Sequence, residues 1–265
     1  MDIKIIYEDN DLLVIDKPSG ITVNRSDTTR EEETVQDFAE KYLKIQNSKF
    51  KDNQVPDFYN RGGIVHRLDN ETSGILLIAK NPQSFLNLQK QFKERSVKKT
   101  YVALVHGEVK PESGEINVPV GRLPFNRKRF GIIAGGREAV TKYKALRYLE
   151  VRNEKWDTES LTSRNRDIKK SSSRISRFTL LELFPKTGRT HQIRVHIKYF
   201  GHPIFSDPFY AGRKVSRADR KLLPRLFLHA EKITFNHPKT GKEVSFKSNL
   251  PAQLQIFLDG LIKIS

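Results

Sequence analysis

The most constraining stretch of this chain is the short apolar run Ile75-Leu76-Leu77-Ile78-Ala79, entered through Gly74 and preceded by a polar break from His66 to Thr72. A run this short without polar alternation reads as a strand buried on both faces. Asp69 lies in the break, so an acid is held beside a rigid strand without being part of it. Loops anchored on a packed scaffold are where reactive groups are usually placed, because the scaffold fixes them while the loop leaves them reachable. By residue type alone, an Asp followed by Asn70-Glu71-Thr72 is more often a turn former or a helix cap than a nucleophile.

At 265 residues with 37% hydrophobic content, the chain can build a real core and fold unaided. Zero cysteines exclude a disulfide framework, cysteine metal sites and thiol catalysis. The opening MDIKIIYEDN lacks the basic start and apolar run of a signal peptide, and no later stretch is long enough to span a bilayer, so a cytoplasmic protein is expected.

Lys and Arg number 48 against 31 Asp and Glu, a net charge of +17. Such a surface field attracts polyanions, and nucleic acid is the obvious partner. A Lys-rich solvated surface is the plainer reading. The surplus is local: residues 186 to 225 hold ten Lys or Arg against Asp207 and Asp219. A membrane surface is disfavoured, since no segment combines a basic face with a strongly apolar one.

In chain order, Ile3 to Tyr7 and Leu12 to Lys17 read as a hairpin. Thr34 caps a helix with Val35, Phe38, Ala39, Tyr42 and Leu43 on one face, and 46–54 reads as a surface loop. Asn81-Pro82 starts a second helix through Phe85, Leu88 and Phe92, with Lys90, Lys93, Arg95, Lys98 and Lys99 gathered towards its end, where the dipole favours cations. Strands follow at 99–109, 115–120, 130–134 and 140–149, then at 178–184. The Ser-, Arg- and Lys-rich residues 152–177 read as a mobile basic insertion. Thr190 can cap a helix with Ile193, Ile197 and Phe200 on one face, ended by Gly201. A last hairpin spans Leu228 to Phe235 and Glu243 to Phe246, and Pro251 opens a closing helix. Strands dominate without a repeat, which predicts an α+β fold with a mostly antiparallel mixed sheet and flanking helices, in a single domain over 1–265.

HRLDNETSGILLIAK with KTYVALVHGEV, and further on TGRTHQIRVHIKYFGHPIFSDPFY, resemble the motifs of the RluA-type RNA pseudouridine synthases. The resemblance runs from DLLVIDKPSGITV to LHAEKITFNHPKTGKEVSF and the last helix. It departs from the family in leaving no room for a separate N-terminal RNA-binding domain, and in a longer 152–177 segment. Both bear on which RNA is modified.

The resemblance implies isomerisation of uridine to pseudouridine in structured RNA, with ribosomal RNA favoured over transfer RNA, by a monomer that uses no cofactor and no metal. Asp69 matches the family's acid and takes the part of nucleophile; a carboxylate can serve in covalent catalysis if it is aimed. Arg194 matches its basic partner, since a fixed cation within a few ångströms favours a charged acid. On residue type alone, Arg194 equally suits an exposed helix side. Tyr101 matches the active-site tyrosine, a ring to stack on the base and a phenol able to move a proton. Arg67 matches the residue that fills the gap left by a flipped-out uridine, and His66 is expected to shape the loop. Arg189, Thr190 and His191 lie at a helix N-terminus, where they could hold a phosphate. A non-catalytic RNA-binding or ribosome-associated protein on the same fold is the reading from another class.

Overall fold

The computed structural model describes residues 1–25, 32–45, 55–152 and 175–263, and the expected loop at 46–54 and most of the 152–177 segment lie outside them. Among the described residues the chain runs β1 (Lys4–Glu8), β2 (Leu12–Lys17), α1 (Val35–Tyr42), α2 (Pro56–Asn60), β3 (Ser73–Ala79), α3 (Pro82–Lys93), β4 (Lys98–His106), β5 (Ser113–Asn117), β6 (Val120–Leu123) and β7 (Asn126–Ile132). Next come β8 (Val140–Arg152), β9 (Ile175–Pro185), α4 (Gln192–Tyr199), α5 (Arg213–Leu222), β10 (Leu228–Asn236), β11 (Glu243–Lys247), α6 (Ala252–Asp259) and β12 (Ile262–Lys263).

The main sheet has the order β1-β2-β3-β10-β4-β9-β8-β12, with β11 on β10 and β5 on β8. Neighbours are antiparallel except for β3 and β10, so the expected α+β architecture with a mostly antiparallel mixed sheet and flanking helices is present. β8 reaches Arg152 and β9 starts at Ile175, paired to each other, so the regular chain resumes three residues earlier than the pattern indicated. Lys99 lies in a strand as expected, and Lys98 belongs to the same β4 rather than to the end of α3, which stops at Lys93. α2 and α5 are further departures: α2 has five residues, and in α5 the apolar Val215, Ala218 and Leu222 share an exposed face while Ser216 and Asp219 are buried.

β3 is buried at every position, as its composition required. Its side chains alternate between two layers: Ile75, Leu77 and Ala79 pack with Phe85 and Leu88 of α3, whereas Leu76 and Ile78 pack with Val35 and Ala39 of α1. The second half of the sheet repeats the plan. Ala103, Val105, Leu181 and Leu183 meet Ile193 and Ile197 of α4 on one face; Val102, Leu104, Phe178 and Leu180 meet Leu254 and Leu258 of α6 on the other. Each such aliphatic side chain contributes roughly 1.5 to 3 kcal/mol on full burial.

The two halves meet at a short seam. β3 and β10 are paired only through His229 with Ser73 and Ala230 with Gly74, and Ala230 also pairs with Tyr101 of β4. Gly74, Ala230 and Tyr101 therefore lie in one row across three strands, just beyond the loop that carries Asp69. Gly74 has φ +115°, and a Cβ there would fall 2.3 Å from the Ala230 carbonyl oxygen. No side chain fits without opening the seam. Gly74→Ala should destabilise the fold by at least about 2 kcal/mol, from backbone strain together with the clash. A urea midpoint unchanged from wild type would show that the seam opens freely.

Candidate active site

A cavity of about 500 Å³ opens at this seam, lined by the Asp69 loop, by Lys99 and Tyr101 of β4, and by the segment Pro185–Arg194. Among the described residues that line it, Asp69 is the one carboxylate. The loop is fixed chiefly through its backbone. Lys17, fully buried, donates from Nζ to the carbonyls of Asn70 at 2.9 Å, Pro18 at 2.8 Å and Ile21 at 2.8 Å. Gly20 N–H donates to the same Asn70 carbonyl at 2.9 Å, and Ser19 Oγ donates to the Glu71 carbonyl at 2.7 Å. The Asn70 amide reaches Gly20 O at 3.1 Å and Thr22 Oγ1 at 3.0 Å, and Arg220 forms an ion pair with Glu71. Burial pushes the Lys17 ammonium down to about 7, with the Asp69 charge acting against that shift.

On the other side of Asp69, His66 accepts the Leu77 N–H at 2.9 Å through Nε2 and stacks on Phe92 at 4.7 Å. It ties the loop to β3 and shapes it, as expected. Burial, helped by the charge on Lys99, pushes its pKa down to about 3, so the ring is a neutral acceptor.

The side chain of Asp69 is only 17% exposed, and its Oδ2 lies 3.4 Å from Arg194 Nη1 and 4.0 Å from His191 Nε2. Arg194 is buried on α4, not on an exposed helix side. Its main partner is Asp207: Nε donates to Oδ2 and Nη2 to Oδ1, both at 2.8 Å. Asp207 is fully buried and its Oδ1 also accepts the backbone N–H groups of Phe209 at 2.9 Å and Tyr210 at 3.1 Å. Burial works against the arginine's charge, but the hydrogen bonds and charge of Asp207, with Asp69 behind them, hold its pKa above the ordinary value. The guanidinium also stands 5.1 Å from the centre of the Tyr210 ring.

Tyr101 of β4 lines the same cavity, and burial together with the Asp69 charge pushes its phenol pKa up. Arg67 is exposed and lines the mouth with Arg189 and Thr190. Thr190 does not cap α4. The helix begins at Gln192, whose Oε1 accepts Thr187 Oγ1 at 2.7 Å and Arg189 N–H at 3.0 Å, while His191 takes a left-handed conformation at φ 56°. That turn aims the His191 ring at Asp69, with Nδ1 2.9 Å from Tyr210 Oη. Burial lowers the His191 pKa, with Asp69 opposing the shift.

The family model described as RNA pseudouridylate synthase matches residues 11–199. The chain belongs to the RNA pseudouridylate synthase family. It is of the RluA type, and with its family it is an isomerase. It is 34% identical over 98% of its length to an RNA pseudouridine synthase of Mycoplasma genitalium, covering 70% of that protein. It is 33% identical over 98% of its length to ribosomal large subunit pseudouridine synthase D of Nitrosomonas europaea, covering 65% of it. The chain thus spans about two thirds of the length of these relatives. The solved structure of human RNA pseudouridylate synthase domain containing 1 superposes with a TM-score of 0.69 at 22% identity, over 100% of this chain and 89% of that one, and shares the fold.

Three residues of this pseudouridylate synthase site escaped the sequence reading. Lys17 closes a strand next to Asp16 and reads as an ordinary strand-end charge, with nothing in sequence to mark its burial. Asp207 was visible only as one of two acids in a basic stretch, although an acid between Ser206 and Pro208 beside apolar residues carried a signal of burial. Lys99 sits two positions before Tyr101 in β4, which puts both on one face. Its Nζ lies 3.3 Å from the Thr187 carbonyl, and burial pushes it down to about 8.

Removing Asp207 would leave Arg194 a buried cation with one distant carboxylate. Asp207→Ala should therefore cost about 3 to 5 kcal/mol in a urea denaturation, and a loss below about 1 kcal/mol would mean that water replaces the acid freely. His66 gives a pH signature. A histidine in the unfolded chain takes up a proton near pH 6.5, whereas the folded ring resists until about pH 3, so this part of the stability is full above 6.5 and is lost as pH falls towards 3. Thermal scans of His66→Gln should show a shallower loss over that window, and an equal slope would assign it to other groups.

Proposed function

We propose that this protein isomerises uridine to pseudouridine in structured RNA, ribosomal RNA in preference to transfer RNA, with Asp69 as the nucleophile. The observation that carries the reading is the setting of Asp69: the one carboxylate among the described residues that line the cavity, with a locked guanidinium at 3.4 Å and Tyr101 lining the same cavity. The ribosomal preference follows the relatives named as ribosomal large subunit synthases. The reading calls on no metal and no cofactor, and takes the chain as a single catalytic domain acting as a monomer in the cytoplasm.

In this reading the target uridine leaves the helical stack and enters the cavity, and Arg67 at the mouth occupies the gap it leaves. The Tyr101 ring supports the uracil face. Asp69 acts on the nucleotide while the bond from C1′ to N1 breaks; the base rotates and rejoins C1′ through C5, the proton on C5 leaves, and N1 gains one. Arg194 holds the carboxylate in line, which is the larger part of what a positioned nucleophile needs. Arg189, Thr190 and His191 stand where the strand enters, and the first two can meet phosphate. Lys99 adds a second cation deep in the same cavity.

Asp69→Asn keeps the shape of the side chain and removes its charge. Incubated with ribosomal RNA that lacks pseudouridine and mapped by carbodiimide adducts, the variant should lose isomerisation by more than about a thousandfold. RNA affinity should stay within a few-fold, because the phosphate contacts are untouched. Residual turnover above about a thousandth of wild type would remove Asp69 from the role of nucleophile.

A further inference from the structure

α5 is turned the wrong way for a helix held by hydrophobic packing. Val215 and Leu222 are each 41% exposed, while Ser216 and Asp219 are buried. An amphipathic surface helix does the reverse, and a buried carboxylate is costly unless its partners are fixed. The polar contacts of the inner face lead to the active site from two directions. Asp219 Oδ2 accepts the Ser206 N–H at 3.0 Å and lies 2.9 Å from His106 Nε2 of β4. Ser206 is fully buried in a left-handed conformation at φ 61°, which a residue with a side chain adopts at a cost, and its Oγ donates to the Leu223 carbonyl at 2.6 Å. The residue after it is Asp207, the anchor of Arg194. Arg220, next to Asp219 in the chain, forms an ion pair with Glu71, two residues beyond Asp69. Arg225, just past the helix, donates from Nη2 to Ser73 Oγ at 2.7 Å, where the Asp69 loop enters β3. One short segment, 219–225, thus holds both the turn that fixes the arginine and the loop that carries the acid.

We propose that the last turn of α5 is a positioning element for the isomerisation: Asp219, through Ser206, sets the Asp207–Arg194 pair, and Arg220, through Glu71, sets the Asp69 loop. The approach of guanidinium to carboxylate is then fixed from outside the cavity, which none of Ser206, Asp219, Arg220 and Arg225 lines. This rests on the reading of Asp69 as the acting acid and adds the residues that aim it. The two ties differ in what they do for the fold. Asp219 is buried with its partners, so removing it disturbs folding as well as aim. The Arg220 and Glu71 side chains are 31% and 25% exposed, and ion pairs as open to water as this add little to stability. A slower reaction in an Arg220 variant that melts normally therefore reports on geometry, since displacing reacting groups by about 1 Å costs roughly a hundredfold in rate.

The test separates rate from affinity. Single-turnover conversion of ribosomal RNA lacking pseudouridine, at saturating enzyme, gives the rate of the bound complex, and filter binding of the same RNA gives the affinity. Arg220→Gln should slow the saturated rate about ten- to a hundredfold, with RNA affinity within about twofold of wild type and an unchanged melting temperature. Glu71→Gln should slow it by a similar factor. The double variant should be no slower than the slower single one, because both changes remove one tie. Arg220→Lys, which keeps the charge, should recover most of the rate. A wild-type saturated rate in Arg220→Gln overturns the positioning role, and weaker binding with a flatter salt dependence at that rate makes Arg220 a phosphate contact instead. Losses that multiply in the double variant overturn it too, since Arg220 and Glu71 would then act separately. Wild-type protein that forms no pseudouridine, or Asp69→Asn that keeps its turnover, overturns instead the reading on which the positioning role rests.

Discussion

The buried pair between Arg194 and Asp207 is the interaction on which the site depends. Taking a guanidinium and a carboxylate out of water costs several kcal/mol per ion, and a pair so placed persists only if its remaining hydrogen-bonding capacity is also filled. Asp207 meets that condition with two bonds from Arg194 and two backbone N–H groups. The consequence is an asymmetry between two acids that share one arginine. Asp207 takes the short bidentate contact and locks the guanidinium; Asp69 receives the single Nη1 at 3.4 Å. A carboxylate held so loosely keeps lone pairs free for a substrate, whereas a bidentate contact at 2.8 Å would have consumed them.

The same division governs the loop around Asp69. Lys17, Gly20 and Ser19 seize carbonyls of Asn70 and Glu71, and His66 seizes an N–H of β3, so the backbone on both sides of the acid is fixed while its side chain is left to the cavity. Fixing the backbone rather than the carboxylate avoids a choice between precision and reactivity. It also explains a buried lysine. An ammonium with three donors satisfies three carbonyls that converge at one point, a task no neutral side chain performs. It is fully buried, and burial draws its pKa down to about 7.

Much of this was legible in the chain itself. The run 75–79 required a strand buried on both faces, and β3 is that strand because alternate residues meet α3 and α1. Hairpin and helix positions followed from period and turn chemistry, and the fold class with them. The motif strings brought Asp69, Tyr101 and Arg194 to one cavity by resemblance, where composition alone left each of them ambiguous. What the sequence withheld has physical causes. Thr190 has the chemistry of a cap, yet the first turn of α4 is closed by Gln192 reaching back to Arg189 N–H, a contact set by tertiary packing of Thr187. Lys98 looked like a helix-end cation because the period changes from 3.6 to 2 within a basic run, where charges hide both patterns. Asp207 acts through Arg194 and Lys17 ties its own turn to Asn70, contacts that only the tertiary fold brings together, and α5 turns its apolar residues to solvent while burying Ser216 and Asp219.

The rim of the cavity carries a last consequence of the charge excess. Arg95 is paired with Glu138 at 3.0 Å and Lys186 with Glu115 at 3.0 Å, and in each pair both side chains are largely open to solvent. Ion pairs of that kind are worth little, since water solvates both partners almost as well apart as together. They nevertheless keep like charges around Asp69 from repelling one another while the cavity is empty. A phosphate arriving at the rim can take the place of Glu138 or Glu115 at small cost, and it brings its own charge-assisted hydrogen bonds and releases counterions. Deeper in, Lys17 and Arg194 cannot be exchanged in this way, because each is buried and fully committed. The protein thus holds its cations in two grades, exchangeable at the mouth and fixed behind the acid, which fits a site that must admit a polyanion without disturbing the group that acts on it.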